Sequence, residues 1–183
     1  MAETARQRLI AALREHALVI GDVTLTSGQK ASYYVDAKRA ILLPNGFRAL
    51  GELVAAEADR AGATAVGGMT MGADAPACAA LAGGADVKAF FVRKDVKQHG
   101  LQRRVEGPPL DAADRCLIVE DVVTTGGSTV KAIERIREQR LEIAGVVSVL
   151  DRLAGGAEAI EAASGGAPYR PLTTIDDVYP DRD

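Results

Sequence analysis

The stretch VEDVVTTGGST, residues 119–129, decides the fold of this chain. It completes an apolar run that begins at Cys116 and ends at two adjacent acids, Glu120 and Asp121. A turn of threonine and glycine follows, and a helical pattern resumes at Ser128. A buried strand that leads through a glycine-rich turn into a helix is typical of a parallel α/β sheet, whose ligands bind beyond the carboxyl ends of the strands.

Strands and helices alternate along the rest of the chain. Apolar runs predict strands at 63–68, 87–94, 116–121, 144–151 and 172–175. Helical spacing of apolar residues predicts helices at 4–16, 44–60, 75–82, 128–140 and 157–163. Residues 21–37 carry β-formers around a Ser-Gly turn and predict a short hairpin. We therefore expect an α/β fold with a central, mostly parallel sheet that helices cover on both faces.

Charged pairs follow three of the predicted strands. They are Arg93-Lys94, Glu120-Asp121 and Asp151-Arg152. Because the carboxyl ends of parallel strands meet at one edge of a sheet, we expect these pairs to lie together at the ligand site.

Composition excludes several classes of protein. The net charge of −3 argues against a general binder of nucleic acid or of membrane surfaces. The amino-terminal segment is charged from the start, and no apolar run approaches the ~18 residues of a membrane span. Cys78 and Cys116 are isolated, so we expect two small buried core residues in a reducing compartment. These features predict a soluble cytoplasmic protein with no membrane or nucleic-acid partner.

The segment TTGGS, residues 124–128, is suited to hold a phosphate. Its backbone N–H groups converge at a helix N-terminus, and Gly126 and Gly127 allow a ligand to approach the backbone closely. It lacks the GK[ST] of a Walker A loop and the GxGxxG of a dinucleotide site. The alternative is a plain strand-to-helix turn with Ser128 as the N-cap.

The acid pair favours the phosphate site over the plain turn. Carboxylates accept hydrogen bonds from hydroxyls, and a ribose supplies two adjacent hydroxyls. Glu120 and Asp121 would bind the ring hydroxyls, and residues 124–128 would bind the 5′-phosphate. One sugar phosphate therefore fits the whole stretch.

VEDVVTTGGST resembles the phosphoribosyl-pyrophosphate (PRPP) motif of the type I phosphoribosyltransferases. Within that family the chain is most similar to the orotate phosphoribosyltransferases, through LTSGQKASYYVD (25–36), FVRKDVKQHG (91–100) and LDR (150–152). The resemblance runs from about residue 20 to 155. It implies a type I phosphoribosyltransferase fold, with residues 1–183 as one domain in which residues ~1–40 form a small hood.

The resemblance also implies the PRPP-binding residues. In the motif they are Glu120, Asp121, Val122, Val123, Thr124, Thr125, Gly126, Gly127 and Ser128. The basic segment 93–107 would be a lid over the diphosphate, although a solvated charge cluster is the alternative. Its diphosphate ligands would be Arg93, Lys94, Lys97 and His99. Lys97, His99 and Asp121 are the implied catalytic residues, and Mg²⁺ would be held mainly through the diphosphate rather than by a protein metal site.

Recognition of orotate is implied for Arg152, Thr124 and Tyr34. The Arg152 guanidinium could bind the orotate carboxylate with two hydrogen bonds, or instead form a salt bridge with Asp151. Tyr34 would cover the base with Val35, or Tyr33-Tyr34 would be core of the hood. Two lysines of the family pattern are replaced, by Thr26 and Met71. Lys30 and Lys38 are candidates to compensate for them.

The function that the resemblance implies is transfer of ribose 5-phosphate from PRPP to orotate, which gives orotidine 5′-monophosphate and pyrophosphate in pyrimidine biosynthesis. A homodimer with shared active sites is implied too, because part of the lid reaches a partner subunit. One alternative is another type I enzyme that uses a purine or uracil. The other is a non-catalytic ligand-sensing regulator of the same fold, but the basic lid favours an enzyme, and no helix-turn-helix segment is evident.

Overall fold

The structure is a computed structural model that describes residues 3–24, 30–94 and 104–182. Near the amino terminus, helix α1 (Ala5–His16) is followed by strands β1 (Leu18–Thr24) and β2 (Lys30–Val35). The two strands pair antiparallel and form a ladder that is separate from the main sheet. Helix α1 begins at a capping box in which Thr4 and Gln7 satisfy each other's backbone N–H groups.

The main sheet has six strands in the order β5-β4-β3-β6-β7-β8. In chain order they are β3 (Ala65–Met69), β4 (Lys88–Val92), β5 (Val105–Glu106), β6 (Arg115–Val123), β7 (Glu142–Asp151) and β8 (Tyr169–Thr174). All pairs are parallel except that of β4 with the short edge strand β5. The carboxyl ends of five strands therefore meet at one edge of the sheet.

Helices cover both faces of this sheet. They are α2 (Lys38–Ile41), α3 (Pro44–Ala61), α4 (Asp74–Ala82), α5 (Gly127–Glu138), α6 (Gly156–Ser164) and α7 (Ile175–Val178). Alternate strand residues enter two apolar clusters, so Val119 packs with Leu9 and Leu50 on one face. On the other face Ile118 packs with Ile133. This is the two-sided burial that continuous apolar strands require.

Every helix and strand predicted above is present, with its ends moved by a few residues. Three short elements were not predicted: α2, β5 and α7. Strand β6 extends to Val123, so Val122 and Val123 belong to the strand rather than to a loop. Gly126, not Ser128, is the N-cap of α5. The expectation for the cysteines is right for buried Cys116 and wrong for Cys78, which is exposed on α4.

Gly67 in the central strand β3 leaves no room for a side chain. A Cβ there would lie 2.1 Å from the Phe90 carbonyl oxygen and 2.6 Å from the Phe90 ring. Gly67→Ala should therefore lower the free energy of unfolding by about 1–3 kcal/mol through overpacking. The shift in urea midpoint at unchanged m-value measures this loss.

Gly145→Ala in β7 is the matched control. A Cβ at Gly145 would lie 3.2 Å from the Leu117 Cδ1 methyl group. This methyl group is the end of a flexible side chain and can move aside. Gly145→Ala should change the free energy of unfolding by less than about 1 kcal/mol. Alanine lowers the conformational entropy of the unfolded chain, and this stabilisation offsets the close contact. Equal losses in the two variants would contradict this account of the sheet.

Candidate active site

The acid pair lies at the carboxyl end of β6 and is nearly buried. Glu120 is 4% and Asp121 is 7% exposed. Glu120 Oε2 accepts hydrogen bonds from the hydroxyls of Ser128 at 2.6 Å and Thr129 at 3.3 Å. Both hydroxyls come from the first turn of α5, so the start of this helix is hydrogen-bonded to Glu120.

Asp121 has two partners of its own. Its Oδ1 accepts from the backbone N–H of Val122 at 2.8 Å, and its Oδ2 accepts from the Lys38 ammonium at 2.8 Å. The same ammonium lies 3.2 Å from Asp36 Oδ1. A buried carboxylate needs such partners, because removal from water penalises its charge.

Gly72 packs directly against both acids. A Cβ at this position would lie 2.1 Å from Glu120 Oε1 and 2.6 Å from Asp121 Oδ1. Gly72 belongs to the turn between β3 and α4. Only glycine lets this turn approach the carboxylates so closely.

The turn between β6 and α5 leads directly into the start of the helix. Gly126 has a left-handed backbone, with φ of 76°, and is the N-cap of α5. The Gly126 carbonyl accepts from Val130 N–H at 2.9 Å, which begins the helix. The preceding N–H groups at a helix start have no intrahelical partner, so they are available to an anion. Thr125, Gly127 and Ser128 are exposed there.

A cavity of about 260 Å³ joins these parts. It is lined by Lys38, Met69, Thr70, Met71, Gly72, Lys94, Glu120, Asp121, Val122 and Ser128. A neighbouring cavity of about 390 Å³ shares Met69, Lys94 and Ser128 and adds the cations Arg93, Lys131 and Arg135. A larger hollow of about 990 Å³ lies along α1 and contains no comparable cluster of partnered, buried charges. The two smaller cavities are therefore the candidate site.

Burial changes the charge of Glu120. Burial raises the pKa of Glu120 to about 7; the Ser128 hydrogen bond opposes this increase, and the charge of Asp121 adds to it. Near neutral pH Glu120 is therefore only partly ionised. Partial burial lowers the pKa of Lys38, but the hydrogen bonds and charges of Asp121 and Asp36 outweigh it and raise this pKa above its ordinary value. Lys38 remains a cation.

Arg152 follows β7 and lies beside the start of the turn between β6 and α5. Its backbone N–H donates to the Val123 carbonyl at 2.9 Å. The guanidinium carbon is 5.0 Å from the centre of the Tyr33 ring, within the range of a cation–π contact. Tyr33 in turn packs edge-on against Tyr179, with ring centres 5.6 Å apart. Arg152 Nε is buried and has no hydrogen-bond partner among the described residues.

Asp151 is engaged elsewhere. Its carboxylate accepts from the Tyr169 hydroxyl at 2.9 Å and from the Leu153 N–H at 2.7 Å. These contacts, rather than the alternative salt bridge with Arg152, satisfy Asp151. The Arg152 guanidinium instead lies over the Tyr33 ring.

Comparison with known proteins gives the family. The family model described as Phosphoribosyl transferase domain matches residues 59–166, more than half of the chain. The orotate phosphoribosyltransferase of Corynebacterium glutamicum is 45% identical over 175 residues, which cover 95% of this chain and 94% of that protein. The chain belongs to the orotate phosphoribosyltransferase family.

Solved structures of this family have the same fold. Orotate phosphoribosyltransferase from Mycobacterium tuberculosis, in complex with Fe(III) dicitrate, matches with a TM-score of 0.85 at 39% identity, covering 96% of this chain and 99% of that one. The complex of that enzyme with PRPP matches with a TM-score of 0.81 at 35% identity, covering 95% and 98%. The predicted type I phosphoribosyltransferase fold is confirmed.

In this phosphoribosyltransferase, many of the residues predicted from the sequence lie together. Arg93, Lys94, Glu120, Asp121, Val122 and Ser128 line the two adjoining cavities. Residues 123–127 of the motif do not line these cavities, and the Val123 side chain is 1% exposed and packs in the core. Lys97, His99 and Thr26 lie outside the described residues. Met71 lines the smaller cavity and is 72% exposed.

The two adjacent tyrosines of β2 have different surroundings. Tyr33, not Tyr34, contacts Arg152. Side chains alternate along a strand, so Tyr34 is on the opposite face of β2, where it is 40% exposed. Val35 is 3% exposed and belongs to the core. Contact of Tyr34 with a base stays a prediction.

Sequence reasoning missed several residues of the site. They are Tyr33, Gly72, Thr129, Lys131 and Arg135. Lys131 and Arg135 are four residues apart, just after the turn between β6 and α5. This spacing places them on one face of α5. That signal could have been found from the sequence. No pattern in the sequence indicated that Gly72 lies against the acids.

No helix within residues 3–24, 30–94 and 104–182 is long and apolar enough to cross a membrane. The same ranges contain no group of three or more His, Cys, Asp or Glu side chains that could hold a metal ion.

Glu120→Gln tests the effect of burial on this carboxyl. Its pKa of about 7 in the folded protein lies above the ordinary 4.5, so the folded state binds more protons than the unfolded chain between these values. The free energy of unfolding should therefore fall as pH rises from about 5 to 8, by at most roughly 3 kcal/mol. Glutamine carries no charge, so Glu120→Gln should lack this contribution. Urea unfolding across that pH range measures it.

Glu142→Gln is the control, because Glu142 is an exposed carboxylate paired with Arg115. This variant should retain the wild-type decline. A Glu120→Gln protein whose stability fell with pH as steeply as the wild type would show that Glu120 ionises normally.

Proposed function

We propose that this chain transfers the ribose 5-phosphate of PRPP to orotate, giving orotidine 5′-monophosphate and pyrophosphate. One observation carries the proposal: the buried Glu120-Asp121 pair and Ser128, in the first turn of α5, border one cavity. Membership of the orotate phosphoribosyltransferase family and the PRPP complex of the Mycobacterium tuberculosis relative support it.

The sugar phosphate would bind along the motif. A carboxylate has about four acceptor positions, so Glu120 and Asp121 can accept ribose hydroxyls in addition to their present partners. The 5′-phosphate would bind the N–H groups and hydroxyls of residues 124–128. Val122 and Val123 would contribute backbone groups, since the Val123 side chain is in the core.

Little covalent chemistry falls to the protein. Nitrogen N1 of orotate loses its proton to water and attacks C1′ while the bond from C1′ to the diphosphate breaks, through a transition state that resembles an oxocarbenium ion. The departing pyrophosphate gains negative charge, and Arg93 and Lys94 border the cavity where cations would stabilise it. We assign the same task to Lys97 and His99 of the lid. No residue acts as a nucleophile.

Mg²⁺ is the proposed cofactor. It prefers oxygen ligands and is commonly held by one or two carboxylates together with substrate phosphates. The cavity fits this preference, because Asp121 presents a carboxylate there beside the space for a diphosphate. When bound, the ion would neutralise charge on the leaving diphosphate. It would be held mainly through the substrate.

Arg152 is the proposed partner of the orotate carboxylate. Its buried Nε has no hydrogen-bond partner in the described structure, and a carboxylate can accept from a guanidinium with two parallel bonds. Its backbone N–H bond to the Val123 carbonyl supports a position next to the proposed sugar-phosphate motif. Thr124 and Tyr34 are proposed as further contacts of the base.

Tyr33→Leu should weaken orotate binding through Arg152. Leucine keeps an apolar side chain but removes the ring over which the guanidinium lies, so the KM for orotate should rise about 2- to 30-fold. Tyr33→Phe keeps the ring and should stay near the wild type. Steady-state kinetics at saturating PRPP measures both variants, and equal KM values for leucine and phenylalanine would contradict the role of the ring.

Turnover assays decide between the proposed function and its alternatives. The protein is mixed with Mg²⁺, PRPP and orotate, and loss of the orotate ultraviolet band is followed; hypoxanthine, adenine and uracil replace orotate in parallel. We expect turnover with orotate alone. Turnover with another base only would indicate a different type I enzyme. No turnover with any base, but retained PRPP binding, would indicate a ligand-sensing regulator.

We also propose the setting of the reaction. Residues 1–183 form one domain with a hood at residues ~1–40, and the enzyme works as a homodimer with shared active sites in cytoplasmic pyrimidine biosynthesis. The isolated cysteines are consistent with a reducing compartment.

A further inference from the structure

Lys38 lies in the cavity that contains the acid pair, although it belongs to no motif. Its ammonium is 2.8 Å from Asp121 Oδ2 and 3.2 Å from Asp36 Oδ1. The Lys38 side chain is 37% exposed, whereas that of Asp121 is 10% exposed. The ammonium therefore contacts two carboxylates and also borders the open space of the cavity.

The backbone of Lys38 is fixed by the core. Its N–H donates to Asp36 Oδ1 at 3.2 Å, and it begins the four-residue helix α2. Ala40 and Ile41 of this helix are fully buried. A Cβ on Gly46 would lie 2.3 Å from the Ala40 carbonyl, so α3 packs closely against α2. This packing fixes the backbone from which the side chain extends, and the two carboxylates hold the ammonium.

The charges around the cavity explain why a cation is needed there. The ligand of the proposed function is a polyanion, yet two neighbouring carboxylates form one wall. Among the described residues of this cavity, Lys38 and Lys94 are the cations, and Lys38 is the one in contact with Asp121. Without Lys38, a nearly buried carboxylate would lose its cationic partner and repel the incoming phosphates.

We propose that Lys38 is a substrate-binding residue that neutralises Asp121 and donates a hydrogen bond to the diphosphate of PRPP. An ammonium has three N–H donors, and Asp36 and Asp121 occupy two of them. No other described residue is paired with this ammonium, so its third N–H can donate to a phosphate oxygen. This inference rests on the proposed function, because it takes PRPP as the ligand.

Lys38→Met removes the ammonium and keeps the length of the side chain. Titration calorimetry with PRPP should show a dissociation constant about 10- to 100-fold above that of the wild type. The KM for PRPP should rise with it, while kcat at saturating PRPP changes less. Lys38→Arg keeps the charge and should bind PRPP within about threefold of the wild type. If Lys38→Met does not fold, Lys38→Gln takes its place in the same titration.

Lys88→Met is the matched control. Lys88 also contacts two carboxylates, Asp114 at 2.8 Å and Asp111 at 3.6 Å, and Asp114 is 4% exposed. This cluster lies where β4 and β6 begin, at the opposite edge of the sheet from the site. Both methionine variants should lose thermal stability, but only Lys38→Met should lose affinity for PRPP. Equal losses of affinity would overturn the proposal, as would wild-type affinity in Lys38→Met.

Met71→Lys in the Lys38→Met protein separates charge from structure. Met71 lines the same cavity and is 72% exposed, so a lysine there can reach the ligand without restoring the bond between α2 and β6. PRPP affinity should recover in part, and no recovery would contradict the proposal. The titration needs no base, so it tests Lys38 even if the wild type fails to use orotate, an outcome that would instead reject the proposed reaction.

Discussion

Two adjacent carboxylates are buried at the end of β6, next to the turn that leads into α5, and the surrounding residues compensate for their charge. Burying an ionised carboxylate is costly unless it is paired or loses its charge. The two acids meet this cost differently. Burial raises the pKa of Glu120 to about 7, and two hydroxyls from α5 donate to it. Asp121 has a backbone amide and the Lys38 ammonium. Glu120 and Asp121 can therefore face a diol without placing two full negative charges beside a phosphate.

The parallel sheet makes this arrangement possible, because it collects the segments after β3, β4, β6 and β7 at one edge. Each segment contributes one part of the site. Gly72, after β3, lies against the acids, and Lys94, after β4, borders the cavity. Arg152, after β7, lies beside the turn between β6 and α5. Close packing sets which residues are tolerated, since any side chain at Gly72 would collide with both carboxylates. The buried position of Glu120 and Asp121 therefore has two consequences: their charges need partners, and the backbone at Gly72 must approach them closely.

Local patterns predicted well wherever the deciding residues are neighbours in the chain. Apolar runs located the strands of the sheet, and the turn between β6 and α5 was recognised from contiguous residues. The predictions failed where the pattern is too short or too uniform. Helix α2 has four residues and β5 has two, which is too few to show a period. Helix α4, DAPACAALA, is so rich in alanine that its spacing did not reveal that Cys78 lies on the exposed side.

By itself the sequence determined the alternation of strands and helices, the sugar-phosphate motif and the family, because each depends on residues that are adjacent or regularly spaced. Only the tertiary structure decided which distant side chains complete the site. Lys38 reaches Asp121 across 83 positions, and Tyr33 rather than Tyr34 meets Arg152. Such contacts depend on how the amino-terminal segment packs against the edge of the sheet. That packing results from the burial of whole elements, and no local spacing specifies it.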